Sequence, residues 1–215
     1  MTDGVICVLP FSQRSRVASE FTSEEIAGLV ARKISQIREV FGENFVVFTD
    51  SEDLSAECTR QDWPLLSRSK ADEPEGTIAE ALAFLGRSLP TSSVAWMSPF
   101  NPLFGPKAIR AMAEAWSNLE SVQKEAGLLA AAELQSYAFM NGRPLNFLPE
   151  DDVANSRDLV SLQVSSVSAI MFSSHVPHPR HTLVGKKTLL HPISQLEDFS
   201  LRRREDLDLL SDFLK

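Results

Sequence analysis

Short apolar runs alternate with longer segments of helical periodicity along most of the chain. A continuous apolar run of this length is typical of a strand buried on both faces of a parallel sheet. The predicted strands are residues 5–9, 45–48, 94–97, 127–134, 164–172 and 188–190. The alanines within residues 127–134 are equally compatible with a helix.

Capping residues mark the boundaries of the predicted helices. Thr22 and Glu25 have the spacing of a capping box, apolar positions then repeat with helical period, and Gly42 ends the pattern. Thr77 and Glu80 repeat the capping box before a shorter helix that closes at a glycine. The other predicted helices are residues 52–58, a helix that starts at Pro106, and residues 207–214.

Strands that alternate with capped helices predict an α/β fold, with a mostly parallel sheet and helices on both faces. Asn141 and Gly142 form a strong hairpin signal, so a small β-hairpin insert is expected within an excursion over about residues 137–185. No repeat, low-complexity tract or long linker divides the chain, and residues 1–215 are predicted to form a single domain. A ligand site is expected at the carboxyl ends of the strands.

Composition narrows the choice of partner. The net charge of −8 argues against nucleic acid, and a phosphate ligand would need a local basic cluster. Cys7 and Cys58 are expected to be buried thiols in a reducing compartment. Neither a signal peptide nor an apolar run of about 18 residues is present, so we expect a cytoplasmic protein without membrane attachment.

The polar loop after the first strand is the main candidate for a binding site. Ser12, Arg14, Ser15 and Arg16 follow one another there, and no glycine lies in the strand or the loop. A guanidinium group offers a planar fork of donors that matches phosphate or carboxylate. A solvated surface loop is the alternative interpretation. Asp50, at the end of the second strand, is expected either to cap the next helix or to bind a ligand.

The order of several motifs resembles the cytidylyltransferase family, which includes the CMP-sialic acid and CMP-Kdo synthetases. Each motif is weak by itself, but their order is maintained over nearly the whole chain. The loop LPFSQRSR stands where the family has I-P-A-R-G-G-S-K, and SPFNPLF stands where it has Q-P-T-S-P-L-R. The matching segments are residues 9–16, 48–51, 98–104, 157–159 and 200–207.

The resemblance implies a three-layer, Rossmann-like nucleotidyltransferase fold. It also implies transfer of CMP from CTP to a nonulosonic or ulosonic sugar acid, release of pyrophosphate, a possible requirement for Mg²⁺, and a homodimer. Arg16, at the position of the family's lysine, is expected to act in catalysis. The nucleotide contacts that the resemblance implies are Ser12, Arg14, Ser15, Arg16, Arg68 and Asn101.

The chain departs from the family where the family binds phosphates and metal. Both loop glycines are replaced by larger residues. Ser200 and Arg202 fall where the family has paired aspartates, and neither can replace a carboxylate around Mg²⁺. Asp198 and Asp206 are the remaining candidate metal ligands.

Two interpretations therefore stay open. In one, arginine side chains meet the anion in place of metal and glycine amides. In the other, the fold has lost catalysis and binds a nucleotide, a sugar acid or a partner protein. A glycosyltransferase-like enzyme is a third class, but it would need a D-x-D motif, and the nearest acidic pair, Asp151 and Asp152, lacks that spacing.

Three histidines, His175, His178 and His181, are spaced three residues apart in a proline-containing segment. A polyproline II conformation would place their imidazoles along one edge, as a metal site requires. An exposed loop is the preferred interpretation, and the resemblance places this segment near the sugar pocket and the dimer contact.

Overall fold

The computed structural model describes residues 4–67, 84–85, 88–89, 93–147, 159–173 and 187–210. Its strands are β1 (Val5–Phe11), β2 (Phe45–Thr49), β3 (Leu65–Ser67), β4 (Ser93–Met97), β5 (Leu128–Leu134), β6 (Phe139–Met140), β7 (Arg143–Pro144), β8 (Leu162–Val164), β9 (Ala169–Ser173) and β10 (Leu189–Ile193). Its helices are α1 (Ser23–Phe41), α2 (Glu52–Gln61), α3 (Pro106–Asn118), α4 (Ser121–Lys124) and α5 (Arg204–Leu210), with a 3₁₀ turn over Ala18–Glu20.

The main sheet has the strand order β10-β5-β9-β4-β1-β2-β3, and β8 pairs with β5. Four pairs are parallel, namely β1 with β2, β1 with β4, β2 with β3, and β5 with β10. Strand β9 lies antiparallel between β4 and β5, and β8 is also antiparallel. The predicted α/β fold with a mostly parallel sheet is confirmed.

Strand β1 runs two residues beyond its predicted end, because Pro10 and Phe11 stay in register with Phe48 and Thr49 of β2. The loop that carries the arginines therefore starts at Ser12, at the carboxyl end of a central strand.

Helix α1 begins where the sequence predicts. Thr22 accepts a hydrogen bond from the Glu25 amide, Glu25 reciprocates, and the capping box is complete. Gly42 follows the helix with φ +59°, a conformation that favours glycine. Helix α2 is capped by Ser51, whose hydroxyl accepts from the amide of Leu54. The alternative in which Asp50 caps this helix is wrong.

Both faces of the sheet are covered. Helices α1, α2, α3 and α5 contribute to the larger apolar cluster on one face. On the other face, Phe84, Leu85 and Leu89 belong to or pack against a smaller cluster around β4. The Phe48 ring stacks on Phe84, with 6.0 Å between centroids. This arrangement forms the three layers that the fold class predicts.

Two predicted elements differ from the structure. The alanine-rich segment is strand β5, because its small buried side chains lie between β9 and β10. The single strand predicted over residues 164–172 is instead the end of β8 and most of β9. They are separated by a turn in which Val167 has φ +59°.

The hairpin is confirmed. Strands β6 and β7 pair around Asn141 and Gly142, which have φ values of 52° and 77° and suit a tight hairpin turn. The predicted capping box of Thr77 and Glu80 lies outside the described residues.

Cys7 and Cys58 are buried free thiols, as expected. Within the described ranges, none of the helices combines the length and the apolar character that a membrane crossing requires.

Candidate functional site

Loops from distant parts of the chain meet at one edge of the sheet, around Phe100. This residue follows β4, and its ring contacts Phe11 at the end of β1 (6.2 Å between centroids) and Phe21 (5.8 Å). The carbonyl of Phe100 accepts a hydrogen bond of 2.8 Å from the amide of Leu201, just before α5. Arg204 also pairs with Glu25 of α1 at 2.8 Å. The loops after β1 and β4 and the turn before α5 are therefore neighbours.

Asp50 organises the loop after β1. Its carboxylate accepts hydrogen bonds from the Ser12 hydroxyl (2.9 Å) and from the Gln13 amide (2.8 Å). The Ser12 hydroxyl in turn accepts from the amide of Arg14 at 3.3 Å. Two donors of this loop that could face a phosphate are thus already engaged by an internal carboxylate.

The guanidinium groups of this loop face solvent. Arg14 and Arg16 are exposed, and within the described part of the chain neither side chain has a hydrogen-bond or ion-pair partner. Ser15 is half-buried, and its amide closes a turn onto the carbonyl of Ser12 at 3.1 Å. The loop therefore presents two cations that form no ion pair with any of the described residues.

The terminal turn adds two more exposed arginines. The side chains of Arg202 and Arg203 also have no partner among the described residues, whereas Arg204 is paired with Glu25. Because the Leu201 amide is bonded to the Phe100 carbonyl and Phe11 contacts the Phe100 ring, the two segments that carry these arginine pairs both adjoin Phe100.

The side chain of Asn101, a predicted nucleotide contact, is fully buried. Its Nδ2 donates to the Ser166 hydroxyl (2.8 Å) and to the carbonyls of Asp198 (3.3 Å) and Phe199 (3.1 Å). Asn101 thus ties the loop after β4 to the terminal turn, and it would reach a ligand only after the loop moved. The nucleotide contact stays a prediction.

The carboxylate of Asp198, a candidate metal ligand, is engaged within the protein. Its two oxygens accept from the Ser166 amide at 3.0 and 2.9 Å, and Oδ1 also accepts from the Ser166 hydroxyl at 2.9 Å. Asp198 therefore holds the turn between β8 and β9.

Asp206, the second candidate, caps α5. Its Oδ2 accepts from the amides of Arg202 (2.7 Å) and Arg203 (2.9 Å). The carboxylate of Asp198 fixes a turn, and that of Asp206 fixes the start of a helix through the amides of two arginines. These residues do not fit Mg²⁺, and the described residues contain no cluster of three or more histidine, cysteine or acidic side chains able to hold a metal ion.

A buried lysine at this edge was not singled out from the sequence. Lys33 of α1 donates from Nζ to the carbonyls of Asn101 and Phe104, each at 2.8 Å. Burial lowers its pKa from 10.5 to about 7. The available signal was its position, since Lys33 lies three residues after Val30 and four before Ile37, on the apolar face of the helix.

A cavity of about 300 Å³ lies beside the first loop, against the starts of α1 and α2. Its lining includes Gln13, Ser51 and Asp53 but no basic residue, so it is distinct from the arginine groups. Arg68, His175, His178 and His181 lie outside the described residues.

No protein-family profile matches the sequence, and no curated protein sequence matches it. Solved structures do match over nearly the full length. A CMP:2-keto-3-deoxy-manno-octonic acid synthetase complexed with CTP has a TM-score of 0.67 and 11% identity, covering 99% of this chain and 98% of that one.

Two further structures have the same fold. The 4-diphosphocytidyl-2C-methyl-D-erythritol synthase of Anaerococcus prevotii has a TM-score of 0.62 and 10% identity, with coverage of 99% and 97%. A Bacillus anthracis protein described as a glucose-1-phosphate thymidylyltransferase has a TM-score of 0.59 and 9% identity, with coverage of 98% and 95%. The chain therefore has the Rossmann-like nucleotidyltransferase fold, and the expected resemblance to cytidylyltransferases is confirmed at the level of the fold.

Proposed function

We propose that the protein is a divergent nucleotidyltransferase that binds CTP at the sheet edge around Phe100, with guanidinium groups in contact with the triphosphate. The observation that carries this proposal is two groups of exposed arginines whose side chains have no hydrogen-bond or ion-pair partner among the described residues. One is Arg14 and Arg16 on the first loop, and the other is Arg202 and Arg203 on the terminal turn. Hydrogen bonding and ring contacts through Phe100 join the two segments.

Charge explains why several arginines would be needed. The chain has a net charge of −8, so a polyphosphate approaches against the overall field unless local cations attract it. A guanidinium group binds phosphate oxygens in pairs and keeps its charge at all physiological pH values. The hydroxyls of Ser12 and Ser15, together with Arg68 and Asn101, stay proposed nucleotide contacts.

The proposed reaction is the one named for the CTP-bound structural neighbour, with a sugar acid as acceptor. A hydroxyl oxygen of the sugar acid forms a bond to the α-phosphorus of CTP while the bond to the bridging oxygen of the β-phosphate breaks. The hydroxyl proton passes to solvent, and pyrophosphate leaves. Arg16 would stabilise the charge that develops on the phosphate oxygens. The proposed reaction uses no Mg²⁺ held by Asp198 and Asp206, because both carboxylates accept hydrogen bonds from backbone amides.

A second candidate is a nucleotide-binding or sugar-binding module without transfer activity. It is favoured by a specific observation, because the carboxylates of Asp50, Asp198 and Asp206 all accept hydrogen bonds from the protein itself. Such a protein would bind its ligand at the arginine groups and release no pyrophosphate.

The proposal also includes a homodimer, a single domain over residues 1–215, and a cytoplasmic location. The dimer is supported by the hairpin of β6 and β7, where Phe139 and Met140 are 59% and 60% exposed. Apolar side chains exposed together in this way mark interaction surfaces.

Thermal-shift measurements with CTP, UTP and ATP, each in EDTA and in Mg²⁺, test the binding. CTP should stabilise the protein in EDTA, and more than the other nucleotides do. No stabilisation by any nucleotide would contradict the proposal. Pyrophosphate release from CTP with Kdo or sialic acid then separates the enzyme from the binding module, and Arg16→Ala should abolish release if Arg16 is catalytic.

A further inference from the structure

A lysine lies in the apolar core beneath the loop of residues 98–105, which we call the Phe100 loop. Lys33 is 1% exposed. Its Nζ donates to the carbonyls of Asn101 and Phe104, each at 2.8 Å, and lies 5.8 Å from the centre of the Phe104 ring. A buried cation is costly unless it is well solvated by acceptors, and here backbone carbonyls of the loop supply them.

Helix α1 holds this loop at a further point. Gln36, one turn after Lys33, donates from Nε2 to the carbonyl of Pro102 at 2.9 Å. Two α1 side chains therefore bind carbonyls along the base of the loop. The Asn101 amide then continues the chain of contacts to Ser166 and to the terminal turn. Movement of the loop would shift Phe100, which contacts both of the segments that carry the arginines.

The ammonium group of Lys33 is held by carbonyl oxygens of the Phe100 loop. Among the residues that the structure describes, no carboxylate pairs with its ammonium group. The titratable or charged groups that bear on it are the thiol of Cys7 on β1 and the guanidinium of Arg32 on α1. The part of the loop that packs against it, residues 101–104, contains no ionisable side chain.

We propose that Lys33 is a positioning residue whose ammonium group fixes the Phe100 loop, and that loss of its proton loosens this loop and weakens the nucleotide site. The effect on the nucleotide site rests on the proposed function, whereas the effect on the loop does not. Hydrogen bonds from an ammonium group are roughly twice as strong as those from a neutral amine. Because burial brings the pKa of Lys33 to about 7, the lysine loses its proton, and the loop loosens, over the neutral pH range.

Linkage sets the direction of the effect on binding. If nucleotide binding needs the ordered loop, it favours the protonated lysine, and CTP affinity falls as the pH rises through neutrality. By reciprocity, CTP raises the pKa of Lys33. Lys33→Met removes the titrating group while keeping a long apolar side chain, so this variant should lose that component of the pH dependence.

Hydrogen–deuterium exchange of the Phe100 loop at about pH 6 and about pH 8.5, corrected for intrinsic rates, tests the loop directly. We expect wild-type protection to fall about fivefold at the higher pH and Lys33→Met to show no such change. Strand β5, which has no hydrogen bond to Lys33, is the internal control. Equal wild-type protection of the loop at both pH values overturns the proposal.

Two further measurements separate the titration of Lys33 from its effect on CTP binding. An NMR titration of the Lys33 side-chain nitrogen in the wild type does not depend on the variant folding, and a lysine that stays protonated throughout overturns the proposal. CTP titrations at the same pH values test the coupling. Identical pH dependence in the wild type and Lys33→Met overturns it, whereas absence of CTP binding with a pH-dependent loop rejects the proposed function and supports the positioning role.

Discussion

At the end of β2, the carboxylate of Asp50 holds the Ser12 hydroxyl and the Gln13 amide. It thereby fixes the loop that carries Arg14 and Arg16 while placing a negative charge beside it. The affinity for a polyphosphate bound there would be raised by the ordered loop and lowered by repulsion from the nearby carboxylate. The two effects can be separated, because an asparagine keeps an acceptor for the Gln13 amide and removes the charge.

We therefore expect Asp50→Asn to bind CTP about threefold to fivefold more tightly, equivalent to roughly 1 kcal/mol for one partly exposed charge pair. Isothermal titration calorimetry at low salt measures the change. Asp62→Asn makes the same charge change at the far end of α2 and should leave the affinity unaltered. Weaker binding by Asp50→Asn would mean that its charge organises the site instead of opposing the ligand.

The residue-scale contacts were the least predictable from the sequence. The sequence makes Asp198 a candidate metal ligand, whereas the structure pairs its carboxylate with Ser166, 32 positions away. Motif spacing carries no information about a contact between such distant residues. The sequence pattern also gave no reason to expect that Asn101 would be fully buried, since asparagine in a loop usually faces water.

At the scale of elements, prediction succeeded where the determinants were local. Thr22 and Glu25 cap α1, and Asn141 with Gly142 forms the hairpin turn. Both features could be predicted because each is determined by residues close together in the sequence. Prediction was wrong for the strand over residues 164–172. The strand is interrupted by a turn at Ser165 and Ser166, which Asp198 holds by hydrogen bonds although it lies 32 positions later in the chain. The apolar pattern of the segment contains no sign of such a turn.

The hairpin is also an element with a testable surface. Asn146 fixes its base through hydrogen bonds of 2.9 Å to the carbonyls of Ser136 and Val160. The Phe139 and Tyr137 rings pack edge-on against the Phe147 ring, with 5.4 and 5.2 Å between ring centroids. A two-stranded hairpin is marginally stable alone, so exposed aromatics held rigidly on it favour a covering partner.

We expect the wild-type protein to sediment as a dimer and Phe139→Glu to sediment as a monomer, because a charge on this surface would be buried without a partner. Val122→Glu introduces the same charge at another exposed apolar position, in α4, and should stay dimeric. A monomeric wild type, or a dimeric Phe139→Glu, would contradict the proposed surface. Sedimentation velocity distinguishes these cases.

At the scale of the whole molecule, the buried cation shapes stability as well as the site. Burial lowers the pKa of Lys33 from 10.5 to about 7, so between these values the unfolded chain binds a proton that the folded protein does not. Stability therefore rises with pH from about 7. Above about pH 9 the thiols oppose this trend, because burial raises the pKa of Cys58 to about 11 and that of Cys7 further.

The free energy of unfolding should thus increase from pH 7 to pH 9, by at most about 1.4 kcal/mol per pH unit. Urea denaturation at several pH values measures it, and Lys33→Met should flatten the increase. A wild-type stability that is constant or falls over this range would show that Lys33 keeps an ordinary pKa in the folded protein.

The overall architecture could be anticipated because alternating apolar runs and capped helices restrict a chain to few topologies. The order of weak motifs then indicated the fold that the solved structures confirm. The chemistry of the candidate site could not be predicted from the order of elements and motifs. The arginines, the engaged carboxylates and the buried lysine acquire their roles from contacts between segments up to 98 positions apart.

CTP titration in EDTA, on the wild type and on the double variant Arg14→Ala with Arg202→Ala, tests the central claim most directly. The wild type should bind CTP without Mg²⁺. The double variant should bind at least about a hundredfold more weakly, since it loses two charge-assisted contacts that are each worth about 1.5–3 kcal/mol. Arg38→Ala, which removes one cation near the opposite end of α1, should bind normally. Equal affinities in all three proteins, or binding that appears only with Mg²⁺, would contradict an anion site built from arginine side chains.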